Sequence, residues 1–585
     1  MAERKYRIER RQPEDHGQLP EVADPYLRRI LMARGLENSG ELDLSLSSLL
    51  HYRTMKGIRE SSEIIARAME DGRRIVVVGD YDVDGATATA LAVRVLRAFG
   101  CTSVDFFIPD REEMGYGLTV AAAETVREQK QAELIITVDN GITSFEGVAR
   151  ARELGMAVLI TDHHLASGEI PEAEAVVNPN QPGCAFPSKF LAGVGVIFYV
   201  MIALRAYLRE TGWFERRGIP VPRLASFLDL VAVGSIADVV RFDHNNRILI
   251  SHGIGLIRSG AGCRCFPLIM RRSLKDPVLA TESDVCHVIA PILNAAGRIE
   301  SMDLGIRCLL ADSNDEIEQL INELILVNTR RREMECLMRE HAEQMLEDRD
   351  LEHMNSIVLY DPSYHQGIVG LVASRLKESF SRPAVVLAPA GNGELKGSAR
   401  SVDGVNIKAV LEEMARERPE LLVRFGGHAM AAGLTIREEQ LQEFTQAFSG
   451  ILARIQGSKD HCRVVLTDGQ LPQDHLTLEF ARSLKILGPW GGGFDCPLFD
   501  GEFVIRSFKY LSSSRHMSSS CHLRMSLCPS GSSYEYNSVM FNVPQDLVDG
   551  DLWHRLVRIC YRLDLNNWRG NYYLQLVVEE MEIIS

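Results

Sequence analysis

Three short apolar runs, each delivering the chain directly into aspartate, limit what this sequence can fold into more than any other feature. Ile75-Val76-Val77-Val78 runs into Gly79-Asp80-Tyr81-Asp82-Val83-Asp84-Gly85, Leu134 to Val138 into Asp139-Asn140-Gly141, and Val158 to Thr161 into Asp162-His163-His164. Val104 to Ile108 is a further strand-like run, and helical stretches such as Ala86 to Phe99 separate the runs. Apolar strands alternating with helices predict a parallel sheet covered on both faces, since a strand buried on both sides has no position for a polar residue. Strands of such a sheet all point one way, so the aspartates are expected to emerge together at its carboxyl edge, where α/β folds place their sites. Gly85 and Gly141 are expected to allow tight turns there.

Carboxylates crowded at one edge repel one another, and burying them unpaired is costly. Divalent cations resolve the conflict. Oxygen-rich ligands with one or two imidazoles suit Mn²⁺ or Mg²⁺ better than zinc, which favours more His or Cys. Two such ions about 3.5–4 Å apart form a clamp for in-line attack on a phosphodiester. Blander readings compete at each motif. A single Asp after a strand is usually a helix N-cap, and a His pair is more often surface or satisfied core. Asp80-Tyr81-Asp82-Val83-Asp84-Gly85 also resembles the start of a calcium loop, but the twelfth position holds Leu91 where that loop needs Glu. Three motifs at successive strand ends, followed by Gly234-Ser235-Ile236-Ala237-Asp238 after the helical region Pro222 to Val233, favour a shared metal site.

With 585 residues the chain exceeds one hydrophobic core, and several domains are expected. Residues 1–60 read as a mostly helical lead-in and 61–312 as the α/β lobe; 313–350 hold one long connecting helix, Asn314 to Glu347. Residues 351–455 read as a smaller α/β lobe, with strands at Ser356 to Tyr360 and Ala384 to Leu387 and a helix from Gly367 to Ser379. Residues 460–585 carry five strand-like runs (Val504–Leu511, His522–Leu527, Tyr534–Phe541, Leu556–Leu563, Tyr572–Met581), which predict a small OB-like β-barrel. Tyr534, Tyr536, Phe541, Tyr572 and Tyr573 are candidates for stacking bases, with core packing the expected fate of at least half.

A net charge of −15 opposes nucleic-acid binding unless a local basic groove exists, so any such reading must rest on particular residues. The longest apolar run, Leu191 to Leu204, falls short of the roughly 20 residues a bilayer requires and reads as a buried helix. The charged first residues carry no signal-peptide pattern, and the 12 scattered cysteines fit reduced thiols, so a cytoplasmic protein without a membrane partner is expected.

These motifs, in this order, resemble those of DHH phosphoesterases, the superfamily named for the Asp162-His163-His164 type of motif. Asp80-Tyr81-Asp82-Val83-Asp84-Gly85 and Asn294-Ala295-Ala296-Gly297-Arg298 resemble its RecJ-type branch, single-stranded-DNA-specific exonucleases. The smaller lobe resembles the DHH-associated (DHHA1) domain through His365-Gln366-Gly367-Ile368-Val369-Gly370, Gly397-Ser398-Ala399-Arg400-Ser401 and Gly426-Gly427-His428. The resemblance implies that Asp82, Asp84, Asp139, His163 and Asp238 hold two Mn²⁺ or Mg²⁺ ions, with Asp80 beside them. It implies that His164 and Arg298 stabilise charge on the scissile phosphate, and that Ser398, Arg400 and Arg111 anchor a 5′-phosphate, with His428 touching substrate. Single-stranded DNA as substrate, with helicase and single-strand-binding proteins as partners, follows from the same likeness. The chain departs from the family at Asn140 (usually Cys) and Ile292 (commonly Arg), and is loosest at Gly488-Pro489-Trp490-Gly491-Gly492-Gly493 before the barrel. A DHH enzyme for small substrates (pyrophosphate, cyclic dinucleotides, short oligonucleotides) and a non-catalytic replication scaffold are the alternatives.

Overall fold

The computed structural model describes residues 6–12, 19–110, 113–166, 168–347, 349, 354–456, 463–512, 521–543, 547, 552–568 and 571–584. Two compact units emerge: residues 10–326 with 467–585, and residues 1–9 with 327–466. The lead-in opens with a strand rather than a helix: Tyr6–Arg10 (β1) pairs with a strand far downstream, Arg463–Thr467. Its one described α-helix before residue 58, Pro25–Met32, is capped by Asp24, whose carboxylate accepts from the Tyr26 and Leu27 amides.

The larger unit is built on five parallel strands: β2 (Ile75–Val78), β3 (Val104–Phe107), β4 (Leu134–Val138), β5 (Ala157–Thr161) and β6 (Ala175–Val177). Their spatial order is β3-β2-β4-β5-β6. Ile75 and Val77 face one apolar cluster and Val76 and Val78 another, so the strand is buried on both sides, as its unbroken apolar run requires. The order reverses between β2 and β4: the chain leaves β2 for β3 on one side, then returns to β4 on the other. Ligands of open α/β sheets bind outside the carboxyl ends at such a reversal.

The helix Val83–Ala98 follows β2, and Gly193–Glu210 is the buried helix expected from the longest apolar run. Gly234 to Ala237 lie inside the helix Leu228–Ala237 rather than after it, and Asp238 is its C-cap. Among the described residues no helix is long and apolar enough to cross a membrane. The helix Asn314–Glu347 is continuous over 34 residues and carries the chain from one unit into the other.

The smaller unit has β7 (Ile357–Tyr360), β8 (Ala384–Pro389), β9 (Glu394–Arg400), β10 (Arg424–Gly427) and β11 (Ala431–Arg437) in the order β10-β11-β9-β8-β7. Only β7 and β8 run parallel; the rest is antiparallel. After β12 (Arg463–Thr467) comes a closed barrel of β13 (Phe499–Ser512), β14 (Cys521–Pro529), β15 (Tyr536–Met540), β16 (Leu556–Trp568) and β17 (Asn571–Ile583). Closure leaves no free sheet edge. The expected fold class stands: a parallel-sheet lobe, a smaller α/β lobe, a long helix and a five-strand barrel. The barrel shares one apolar core with the larger lobe, and Arg34 clamps Asp468 at its base with two hydrogen bonds of 2.6 and 2.9 Å. Four of the five barrel aromatics (Tyr534, Phe541, Tyr572, Tyr573) stay exposed, contrary to the expectation that half would pack; Tyr536 is the partly buried one.

Candidate metal centre

The carboxyl edge brings together residues from several separate stretches of chain. Asp80, Asp82 and Asp139 offer oxygens within 4.8 Å of one another, and Asp84, His163 and Asp238 form a second such set. Asp139, His163 and His164 form a third that overlaps both. Asp80 and Asp139 leave β2 and β4, the two strands that flank the topological reversal.

Local structure aims each ligand. Asp139 sits at φ 63°, a left-handed conformation uncommon for a residue with a side chain, and Gly141 follows at φ 116°. Asn140, fully buried, donates from Nδ2 to the Val78 and Val138 carbonyls at 3.1 and 2.9 Å, tying the ends of β2 and β4 together. Gly85 has a different role from the expected turn. It lies inside the helix, and a Cβ there would meet the Asp80 backbone at 2.6 Å. Asp82 is the N-cap of that helix, accepting from the Gly85 amide at 3.0 Å through Oδ1, so the bland reading of this residue holds alongside its place in the cluster. Asp84 is held from outside: the Gly193 and Val194 amides, at the start of the helix Gly193–Glu210, donate to its two oxygens at 2.6 and 2.9 Å. Close approach of that helix requires glycine, since a Cβ on Gly193 would lie 2.5 Å from the Asp139 Cβ.

His163 Nε2 stands 3.0 Å from Asp139 Oδ1, 3.7 Å from Asp238 and 3.9 Å from Asp84. His164 is steered by Asp162, whose Oδ1 contacts its Nδ1 at 2.7 Å and accepts both histidine amides, while Oδ2 accepts from the Ile142 amide. Tyr116 reaches over from its own loop, its hydroxyl 3.4 Å from His164 Nε2, with the two rings edge to face. Asn294 accepts from the Val83 amide at 3.1 Å, and Gly297 packs so closely on the Tyr81 backbone that a Cβ would collide with its carbonyl. These contacts seat the half-buried Arg298 beside the Asp82 turn.

The electrostatics call for cations. Burial, then the charge of Asp82, pushes Asp84 up to about 7; burial, then Asp84, pushes Asp238 up to about 8. Burial and the neighbouring Asp84 push Asp139 well above the carboxylate range. Asp139 Oδ1 is buried and accepts no hydrogen bond. Burial opposes protonation of His164, but Asp162, through its hydrogen bond and charge, outweighs it and raises the imidazole to about 9. A set of hard oxygen donors with one imidazole, and buried carboxylates that repel one another, fits Mn²⁺ or Mg²⁺.

The remaining predicted residues lie in the smaller unit, apart from Arg111, which falls outside the described residues. Arg400 donates from Nη1 to Ser398 Oγ at 2.6 Å and from Nε to Ser374 Oγ at 3.2 Å. Both predicted anchors border the first turn of the helix Val369–Phe380: a Cβ on Gly370 would lie 2.9 Å from Arg400 Nη2 and 3.1 Å from Ser398 Oγ. His428 is exposed in the β10–β11 turn, and β11 begins with Ala431 opposite Arg400. The sequence reads Asp162 as one of the strand-end aspartates but not its steering of His164, and Tyr116 does not stand out there at all. An aromatic between two glycines, Gly115-Tyr116-Gly117, is the available signal.

Residues 74–235 match the DHH family, N-terminal domain; residues 353–454 match the DHHA1 domain and residues 467–580 the RecJ OB domain. The chain is 43% identical over 579 residues to the single-stranded-DNA-specific exonuclease RecJ of Dickeya dadantii, and 40% identical over 590 residues to that of Salmonella typhimurium. Each alignment covers 98% of this chain and 98% of the relative. The crystal structure of RecJ in complex with Mn²⁺ from Thermus thermophilus superposes with a TM-score of 0.75 at 31% identity, covering 94% of this chain and 75% of that one. The Mg²⁺ complex from the same organism gives 0.71 at 28%, covering 96% and 75%.

Proposed function

The chain belongs to the family of RecJ single-stranded-DNA-specific exonucleases, and on that premise we propose that it hydrolyses single-stranded DNA stepwise from the 5′ end, releasing 5′-mononucleotides. The observation that carries this reading is the nest itself: buried carboxylates and one imidazole from distant stretches of chain, converging at the reversal of a parallel sheet.

Asp80, Asp82 and Asp139 would hold one divalent cation and Asp84, His163 and Asp238 the other. Bound there, Mn²⁺ or Mg²⁺ supplies the positive charge that polarises the scissile phosphate and acidifies water. The chain's own groups do the rest. His164, kept charged and oriented by Asp162, donates a hydrogen bond to a non-bridging phosphate oxygen as negative charge develops. Arg298 supports the same charge from the Asn294 turn. In the smaller unit Ser398 and Arg400 bind the terminal 5′-phosphate, as planar guanidinium geometry suits, with His428 as a further contact. A helicase and a single-strand-binding protein are the partners that would generate and present such a strand. The cytoplasm is the compartment in which every described cysteine, each a free thiol, stays reduced.

Oligonucleotides blocked at either end, incubated with protein and Mn²⁺, test the polarity. A 3′ block should leave degradation intact and a 5′ block should stop it; equal loss of both substrates defeats the direction. A length series separates this reading from a small-substrate enzyme, which would prefer dinucleotides over long strands.

A further inference from the structure

The glycine run before the barrel, which resembles the family only loosely, packs against the segment that follows Asp238. Asp238 closes the helix Leu228–Ala237, and the next residue, Val239, adopts φ 55° while remaining 72% exposed. A β-branched residue in the left-handed region is strained and persists only where its neighbours hold it. The segment that follows is held by the glycine run. Gly492 O accepts from the Phe242 amide at 2.7 Å. A Cβ on Gly492 would lie 2.9 Å from the Val240 carbonyl oxygen and 3.4 Å from that of Val239. A Cβ on Gly491 would sit 2.4 Å from the Phe242 ring, and one on Gly493 2.9 Å from the Arg241 side chain. From the other side Asn246 Nδ2 donates to the Arg241 carbonyl at 2.9 Å.

The run is itself firmly seated. Trp490 stacks on Phe494 with ring centroids 4.8 Å apart, and its indole donates to the Leu484 carbonyl. Its amide donates at 2.8 Å to Glu282, in the larger lobe. Arg247, almost fully buried, lies 3.9 Å over the Phe494 ring. The anchored partner is therefore the loop, and the strained partner is the segment that leaves Asp238.

We infer that Gly491-Gly492-Gly493 is a positioning element for Asp238: the lead-in to the C-terminal barrel fixes one ligand of the metal centre, so the barrel is part of the catalytic lobe's machinery as well as a separate fold. The inference rests on the metal-centre reading. Groups that orient a ligand typically alter metal affinity about 10–100-fold when changed.

The test uses full-length protein and Mn²⁺ titrations followed by electron paramagnetic resonance, without DNA. Gly492→Ala, which presses on the Val240 carbonyl, should weaken Mn²⁺ binding about tenfold. Its kcat should fall and recover at high Mn²⁺, while KM for a long oligonucleotide and the melting temperature stay near wild type. Gly491→Ala should behave alike, and adding Phe242→Leu, which removes the ring it meets, should restore affinity. A folded Gly492→Ala protein with wild-type Mn²⁺ affinity overturns the inference. If that variant does not fold, the Gly491→Ala and Gly491→Ala/Phe242→Leu pair decides in the same way, equal Mn²⁺ affinities overturning it. Asp238→Ala separates the two readings: undiminished Mn²⁺ binding there defeats the metal-centre assignment itself.

Discussion

The acidic nest of the larger unit and the Ser398–Arg400 site of the smaller one are each built around a helix N-terminus, with opposite results. In the nest, the first amides of the helix Gly193–Glu210 are consumed by a protein carboxylate, Asp84, which joins a crowd of like charges. In the smaller unit the first turn of the helix Val369–Phe380 abuts a guanidinium, so the partial positive charge of the helix meets a full one. Each place sets charge of one sign, which a ligand of the other sign would relieve: divalent cations in the first and, on the proposed reading, a phosphate in the second. A helix N-terminus does not by itself choose a ligand; the side chain set against it does. The two sites also differ in burial. Asp84 and Asp139 are almost wholly inaccessible, whereas Ser398 and Arg400 are half-buried on an open sheet.

The sharpest way to break this contrast is Asp139→Asn. Activity on single-stranded DNA should fall roughly 10³-fold, as the loss of about 4 kcal/mol of transition-state stabilisation implies. The metal-free protein should meanwhile melt at a higher temperature than wild type, because one of the repelling carboxylates is gone; calorimetry with and without Mn²⁺ checks both signs. Next, Arg400→Ala should raise KM for 5′-phosphorylated strands by about 10–100-fold, the worth of a charge-assisted hydrogen bond, while Mn²⁺ affinity is unchanged. Loss of Mn²⁺ binding in that variant would collapse the distinction between the two sites. Asp162→Asn keeps an acceptor for the histidine amides but removes the charge facing His164, and kcat should drop about tenfold with little change in KM. Smallest is Ser398→Ala, which deletes one uncharged side-chain donor and leaves Arg400 in place; a rise in KM of about fivefold is expected in steady-state assays.

The two regions are not equally legible in the sequence. For the nest, period and punctuation carry most of the reading: runs such as Ile75–Val78 read as buried strands, and parallel strands present their carboxyl ends at one edge, so Asp80, Asp139 and His163 are expected to meet there. The barrel's five strands are readable from their spacing, but their ends fall short by several residues, as at Phe499–Ser512, because hairpin strands extend as far as their partners allow. Burial of the barrel aromatics goes astray, since a closed sheet has an outer face and sequence alternation alone does not say which residues take it. The strand Tyr6–Arg10 is invisible to local pattern because its partner lies more than 450 residues away in the chain.

Composition and local pattern determined on their own that this chain has a buried parallel sheet with acidic ends, a long helix and a barrel, because those properties depend on residues close in sequence. Only the tertiary structure decided that Asp82 caps a helix while facing the cluster, that Asp162 steers His164, and that glycines near residue 491 press on the segment leaving Asp238. Such contacts join stretches whose separation along the chain carries no local signal. Their energies depend on distances of a few tenths of an ångström, which packing sets and patterning does not.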